Sequence, residues 1–244
     1  MRTCVFVGPT IPATEAKKIL AMADFFPPVA VGDVLRAVEA GYETLVLIDG
    51  YFHGVPSVWH KEIMYALSRH VTVVGCSSMG ALRAAELWPY GMAGCGRIFA
   101  AYRDGIYESD DEVALMHGDE ESGYRSVSQP LVNIRHGLAL ARRSGVISAD
   151  LQGQLIQRAQ ELFYGDRHWS RVVEDVSSIT GSEAEAAHLR RFLRETDSDL
   201  KRADAVETLW RTANGEIERS GVAENFTFEE THSFLLLRAA EGTN

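Results

Sequence analysis

Three short runs constrain this chain more than anything else in it: "TCVFVG" (3–8), "ETLVLIDG" (43–50) and "VTVVG" (71–75). Each is too short for a core helix, rich in apolar and β-branched residues, and closed by glycine, so each reads as a buried strand. Helical patterns separate them. "ATEAKKILAMA" places Thr14 as an N-cap. "VGDVLRAVEAG" follows a Pro-Pro break and ends at Gly41. "PSVWHKEIMYALSRH" has Ser57 as its cap. Strands alternating with helices build βαβ units, and βαβ units build a parallel sheet covered on both faces. The expected fold is therefore α/β, a small parallel sheet flanked by helices of the Rossmann-like or hydrolase-like kind.

Beyond residue 88 the pattern loosens, with a fourth strand expected at 112–117. From Gln129 the chain reads as helical. "QPLVNIRHGLALARRSG" ends at Gly145 and "SADLQGQLIQRAQELFYGD" at Gly165; two charged amphipathic stretches run on to about Gly221, and a last helix lies in "FTFEETHSFLLLRAAEGTN". The expected division is an α/β core over 1–125 and a mostly helical C-terminal region over 126–244.

Composition narrows the function classes. A formal net charge of −10 disfavours nucleic acid and anionic membranes as partners. No apolar run reaches the roughly 18 residues of a membrane span, and no signal-peptide pattern follows "MRTCVFVG". The three cysteines, Cys4, Cys76 and Cys95, are widely spaced with no CxxC, which suits a reducing, cytoplasmic setting better than a disulfide framework or zinc. No metal site is expected. Asp110, Asp111, Glu112 and His117 match no metal-ligand spacing and are expected to face solvent or pair with Arg83 or Arg103.

The chemistry concentrates where the third strand meets a helix, in "GCSSMGALRAAELW" (75–88). A strand that runs straight into a helix projects the turn from the carboxyl edge of the sheet, where open α/β folds bind ligands. The helix's first N–H groups lack intrahelical partners and can hold an anion or oxyanion. Ser78-Met79-Gly80 fits the second half of a G-x-S-x-G nucleophile elbow, with Cys76 where the first glycine would stand. Gly80 allows close helix–strand approach. The plainer account is that Ser77 or Ser78 caps the helix. The same edge gathers Gly8-Pro9-Thr10 and Ile48-Asp49-Gly50. Gly8 and Met79 can supply two oxyanion N–H groups, and Asp49 can orient a base or bind a donor. His60 is the ordinary general base, Lys61 serves only with a lowered pKa, and His53 is a weaker candidate.

The blocks "VFVGPT", "VGDVLRAVEAG", "LVLIDGYFHGVPSVWHKEIMYAL", "VTVVGCSSMGALRAAELWPYGMAGCGRIFAAYRDG" and "SDDEVALMHG" resemble the TfuA-like core domain over about residues 4–136. The resemblance implies a sulfur-delivery role beside a YcaO-family enzyme that makes peptide backbone thioamides. In that role the YcaO partner uses ATP and Mg, and this chain holds no cofactor. Its further partner is a thiocarboxylated, ubiquitin-like sulfur carrier, with the precursor peptide reached through the YcaO enzyme. The family's blocks fall on Gly8, Pro9, Asp49, Gly50, Trp59, His60, Lys61, Glu62 and Ser77 through Glu86, including Arg83. The expectation is Ser78 as nucleophile, Met79 and Gly8 as oxyanion donors and His60 as base with Lys61 as substitute. Asp49 or Glu62 orients the base, and Thr10, Gly50, Ser77, Gly80 and Arg83 line the substrate. Cys76 departs from the small residue expected there and opens persulfide chemistry. The alternative reading is a noncatalytic adaptor that docks to the YcaO protein and activates it.

Overall fold

The computed structural model describes residues 2–52, 54–217 and 226–242. His53 and Gly221, both singled out in the sequence, lie outside the described residues. The chain forms two compact units, Met1–Glu108 with Arg202–Asn244, and Ser109–Lys201. This division differs from the single cut expected near residue 125.

The first unit is a five-stranded parallel sheet of β1 (Thr3–Phe6), β2 (Asp24–Phe26), β3 (Thr44–Leu47), β4 (Thr72–Gly75) and β5 (Ala93–Gly94), in the order β2-β1-β3-β4-β5. The connections are α1 (Ala13–Ile19), α2 (Asp33–Glu39), α3 (His60–Ser68) and α4 (Met79–Leu87), with α5 (Gly96–Arg103) after β5. The three strands read from sequence are β1, β3 and β4. β2 ends at the Pro-Pro read as a break, and β5 is only two residues long. The strand expected at 112–117 is absent. Asp110–Glu112 is a 3₁₀ turn capped by Ser109, and His117 makes one isolated bridge to Ser126. Thr14 does not cap α1, which starts at Ala13 after Pro12. Ser57 donates its hydroxyl to the Tyr51 carbonyl instead of capping α3.

Residues 109–201 hold α6 (Leu131–Arg143), α7 (Ala149–Glu161), α8 (Trp169–Thr180) and α9 (Glu183–Glu195) around their own apolar core. Gly145 and Gly181 follow helix ends with φ of 71° and 70°, a backbone that glycine adopts without a steric penalty. The chain then returns to the sheet through α10 (Leu200–Ala213) and α11 (His232–Glu241).

That return explains the discontinuous unit. Val5, Val46, Val74 and Ala93 are register partners and share one sheet face with Val7, Ile48, Cys76 and Cys95. Ala16 of α1 covers part of this face, and Ala205 and Leu209 of α10 cover more of it. Glu15 and Arg202 pair across the two helices. α11 docks elsewhere on the same unit, where Phe234 is fully buried against Leu35 and Tyr65.

Candidate functional site

β4 turns into α4 through a three-residue bend. The Ser78 N–H donates to the Cys76 carbonyl at 2.7 Å, and Ser77 between them has φ of 63°. For a non-glycine residue this left-handed backbone costs about 1–2 kcal/mol, and such strain clusters at functional sites. Ser78 is the N-cap residue of α4, yet its side chain makes no capping hydrogen bond. The capping account of this serine is therefore not realised. Both serines are buried, and the Ser77 hydroxyl donates to Cys76 Sγ at 3.3 Å. Ala81 N–H donates to the Cys76 and Ser78 carbonyls and Gly80 N–H to that of Ile48. The Met79 N–H has no acceptor among the described residues.

The bend is fixed by close packing. A Cβ on Gly80 would lie 1.7 Å from the Leu47 carbonyl oxygen, and one on Gly75 would lie 1.9 Å from that of Gly80. Helix α4 therefore touches β3 and β4 backbone to backbone, as expected of Gly80. Gly50 makes room for Met79, whose Cγ would be 2.8 Å from an added Cβ.

The strand order places a topological switch between β1 and β3, the usual ligand crevice of this architecture. Asp49, at the end of β3, spans it. One carboxylate oxygen accepts the N–H groups of Gly8 (2.9 Å) and Thr10 (3.0 Å), and the other accepts the Thr10 hydroxyl (2.6 Å). This corrects two expectations. The Gly8 N–H is already committed to Asp49 and is not an open oxyanion donor, and Asp49 ties down the 8–10 loop rather than orienting a base. Asp49→Ala leaves two buried N–H groups unsatisfied and is expected to lower stability by about 3 kcal/mol, with Asp49→Asn milder because its amide oxygen can still accept. Denaturant midpoints check the ranking.

The three candidates on α3 point three ways, as neighbours on a helix must. His60 Nε2 lies 2.8 Å from Glu86, which also accepts from Arg83 at 2.7 Å. Partial burial pushes the Glu86 pKa up, but the bonds from His60 and Arg83 outweigh it and hold the group below its ordinary value. Glu86 lies eight residues past Ser78, about 12 Å along the helix axis, so His60 is turned along α4 and not onto the bend. Lys61 Nζ donates to the Glu229 carbonyl at 2.6 Å and sits over Phe228. Glu62 is fully buried and accepts the N–H groups of Trp59 and Gly32, joining the starts of α3 and α2. It orients no base. Arg83 also donates to the Val58 carbonyl, so it braces the segment before α3. Sequence reasoning missed Glu86 as the His60 partner, although the Arg83-x-x-Glu86 spacing puts those two side chains on one face.

Burial raises the Glu62 carboxyl to about 7, against the backbone donors that favour its charge. A carboxyl whose folded pKa exceeds its unfolded value loses stabilising effect as pH rises between the two, here from about 4.5 to 7. The stability difference between wild type and Glu62→Gln is expected to shift against wild type by roughly 2–3 kcal/mol over that window. Urea titrations at pH 5 and pH 8 read the sign directly.

Residues 49–168 match the family model described as TfuA-like protein. The chain carries a TfuA-like domain. No curated protein matches the chain. The TfuA-like stretch begins at Asp49, includes the serine bend and the His60–Glu86–Arg83 cluster, and runs through α6 and α7 in the second unit. The Gly8-Pro9-Thr10 loop lies before it. No described helix is long and apolar enough to cross a membrane.

Two further expectations for the TfuA-like domain meet the structure. Asp111 and Glu112 pair with Arg167 and Arg135 rather than with Arg83 or Arg103. Arg103 binds its neighbour Asp104. Cys76 is wholly buried and its thiol is pushed far up by desolvation, so it holds its proton at neutral pH and is a poor nucleophile. Cys76 thus packs as a small apolar residue, which leaves the persulfide idea without geometric support.

Proposed function

We propose that this TfuA-like protein delivers sulfur for peptide backbone thioamide formation by a YcaO-family enzyme, releasing sulfide from a thiocarboxylated, ubiquitin-like carrier. One observation supports the reading: a strained, non-glycine bend holds two serines at the start of α4 beside a Met79 N–H that has no acceptor among the described residues. The Ser78 hydroxyl attacks the thiocarboxylate carbon, the C–S bond breaks, and the hydroxyl proton leaves on the sulfur as HS⁻. The carrier is then held as a serine ester, which water hydrolyses to carboxylate and free Ser78. Because the departing sulfur takes the proton, this first step makes less demand on a separate base than amide hydrolysis does. The Met79 N–H stabilises the oxyanion. ATP and Mg belong to the YcaO partner.

The adaptor reading is favoured by a specific observation. His60 and Lys61 are held by Glu86 and by the Glu229 carbonyl, so neither stands at the bend. An adaptor would stimulate the YcaO enzyme even when sulfide is supplied free. The test is to incubate the full chain with thiocarboxylated carrier and follow carrier mass and sulfide. Release without the YcaO enzyme supports the hydrolase; no release, with undiminished stimulation on free sulfide, supports the adaptor.

A further inference from the structure

The second unit carries a feature that the sulfur chemistry does not use. Val127 N–H donates to the Met116 carbonyl, Gly118 N–H donates to that of Arg125, and His117 bridges Ser126. These bonds make an irregular hairpin whose tip is Asp119-Glu120-Glu121. Residues directly opposite on antiparallel segments share a face, so Met116 and Val127 lie side by side. They are 43% and 62% exposed. Phe163, 57% exposed, joins them, since an added Cβ at Gly165 would lie 2.7 Å from the Phe163 ring and 3.1 Å from Met116 Cγ.

Three large apolar side chains placed close together and open to solvent are more than the scattered exposure ordinary on a surface. Their rim is acidic. Asp119, Glu120 and Glu121 at the hairpin tip are exposed and make no ion pair among the described residues, against one exposed cation on the hairpin, Arg125. A second copy of the chain would set carboxylates against carboxylates, and an anionic lipid surface would be repelled. An apolar centre inside an acidic rim instead fits a protein face whose aliphatic residues are ringed by Lys and Arg.

We infer that the Met116–Val127–Phe163 face is a protein-docking surface and that its occupant is such a basic-rimmed face on the YcaO enzyme. This rests on the sulfur-delivery reading. There the carrier is committed to the serine bend, and this surface is assigned to the second partner.

The test measures binding of the purified YcaO partner to the full chain by calorimetry at about 50 mM and 500 mM salt. Wild type should bind, and bind more weakly at high salt. Phe163→Asp should weaken binding at least about tenfold. The triple variant Asp119→Lys, Glu120→Lys, Glu121→Lys should weaken it similarly at low salt and abolish the salt dependence. All these side chains are exposed, so circular dichroism should match wild type, with the melting temperature lowered only slightly in the triple variant, where Asp119 gives up the Ser122 N–H. Wild-type binding that both variants retain overturns this surface while leaving the sulfur-delivery reading standing. No wild-type binding overturns the partnership and the surface with it. Loss of carrier binding alone in the variants overturns the choice of occupant.

Discussion

Gly80→Ala is expected to destabilise the α/β unit by at least about 3 kcal/mol, although alanine is the better helix former by about 1 kcal/mol. The added methyl would stand 1.7 Å from the Leu47 carbonyl oxygen. That oxygen belongs to a central strand and accepts the Cys76 N–H, so it cannot swing aside as a side chain would. Relief requires α4 to lift from β3, which would also reopen the Gly75–Gly80 contact and displace the serine bend. Gly153→Ala is the internal control. Gly153 lies within α7 with nothing within 4 Å of the new methyl, and its substitution should stabilise by about 1 kcal/mol. Opposite signs for two Gly→Ala changes in helices, read by chemical denaturation, isolate close packing as the cause.

Ser78→Ala should lower sulfide release from thiocarboxylated carrier by about 10³-fold or more, the scale on which removal of a nucleophile acts. Ser77 separates chemistry from conformation. Glycine adopts a φ of 63° freely, so Ser77→Gly should keep release within a few-fold of wild type and change stability by no more than about 1 kcal/mol. Valine is poorly accommodated at positive φ and by a fully buried site, so Ser77→Val should cost about 2 kcal/mol or more and lower release through misplacement of the bend. If Ser77→Gly instead abolishes release and Ser78→Ala does not, the two serines exchange roles.

The legible parts of the fold were those whose signal is local. β1, β3 and β4 announce themselves as short apolar runs closed by polar or glycine residues, and Gly41 and Gly145 mark helix ends. β2 and β5, at three and two residues, carry no periodicity to read. The return of α10 to the sheet is equally silent, because an apolar stripe such as Ala205 and Leu209 does not say which surface it covers. The serine bend was visible as a strand running into "SSMG". Which of the two serines takes the strained φ is not encoded by residue type, since both are serine. Asp49 was found but its task was not, since its partners Gly8 and Thr10 lie about forty residues away in sequence. Glu86 was overlooked because His60 reaches it only in three dimensions.

Trapping the carrier ester tests the proposed chemistry most directly. The full chain is mixed with thiocarboxylated carrier, quenched in acid within the first turnover, digested and analysed by mass spectrometry. The mechanism requires a hydroxylamine-labile carrier adduct on Ser78, formed as sulfide appears and absent from Ser78→Ala. Sulfide released at the wild-type rate by Ser78→Ala, with no adduct on that serine, would contradict it.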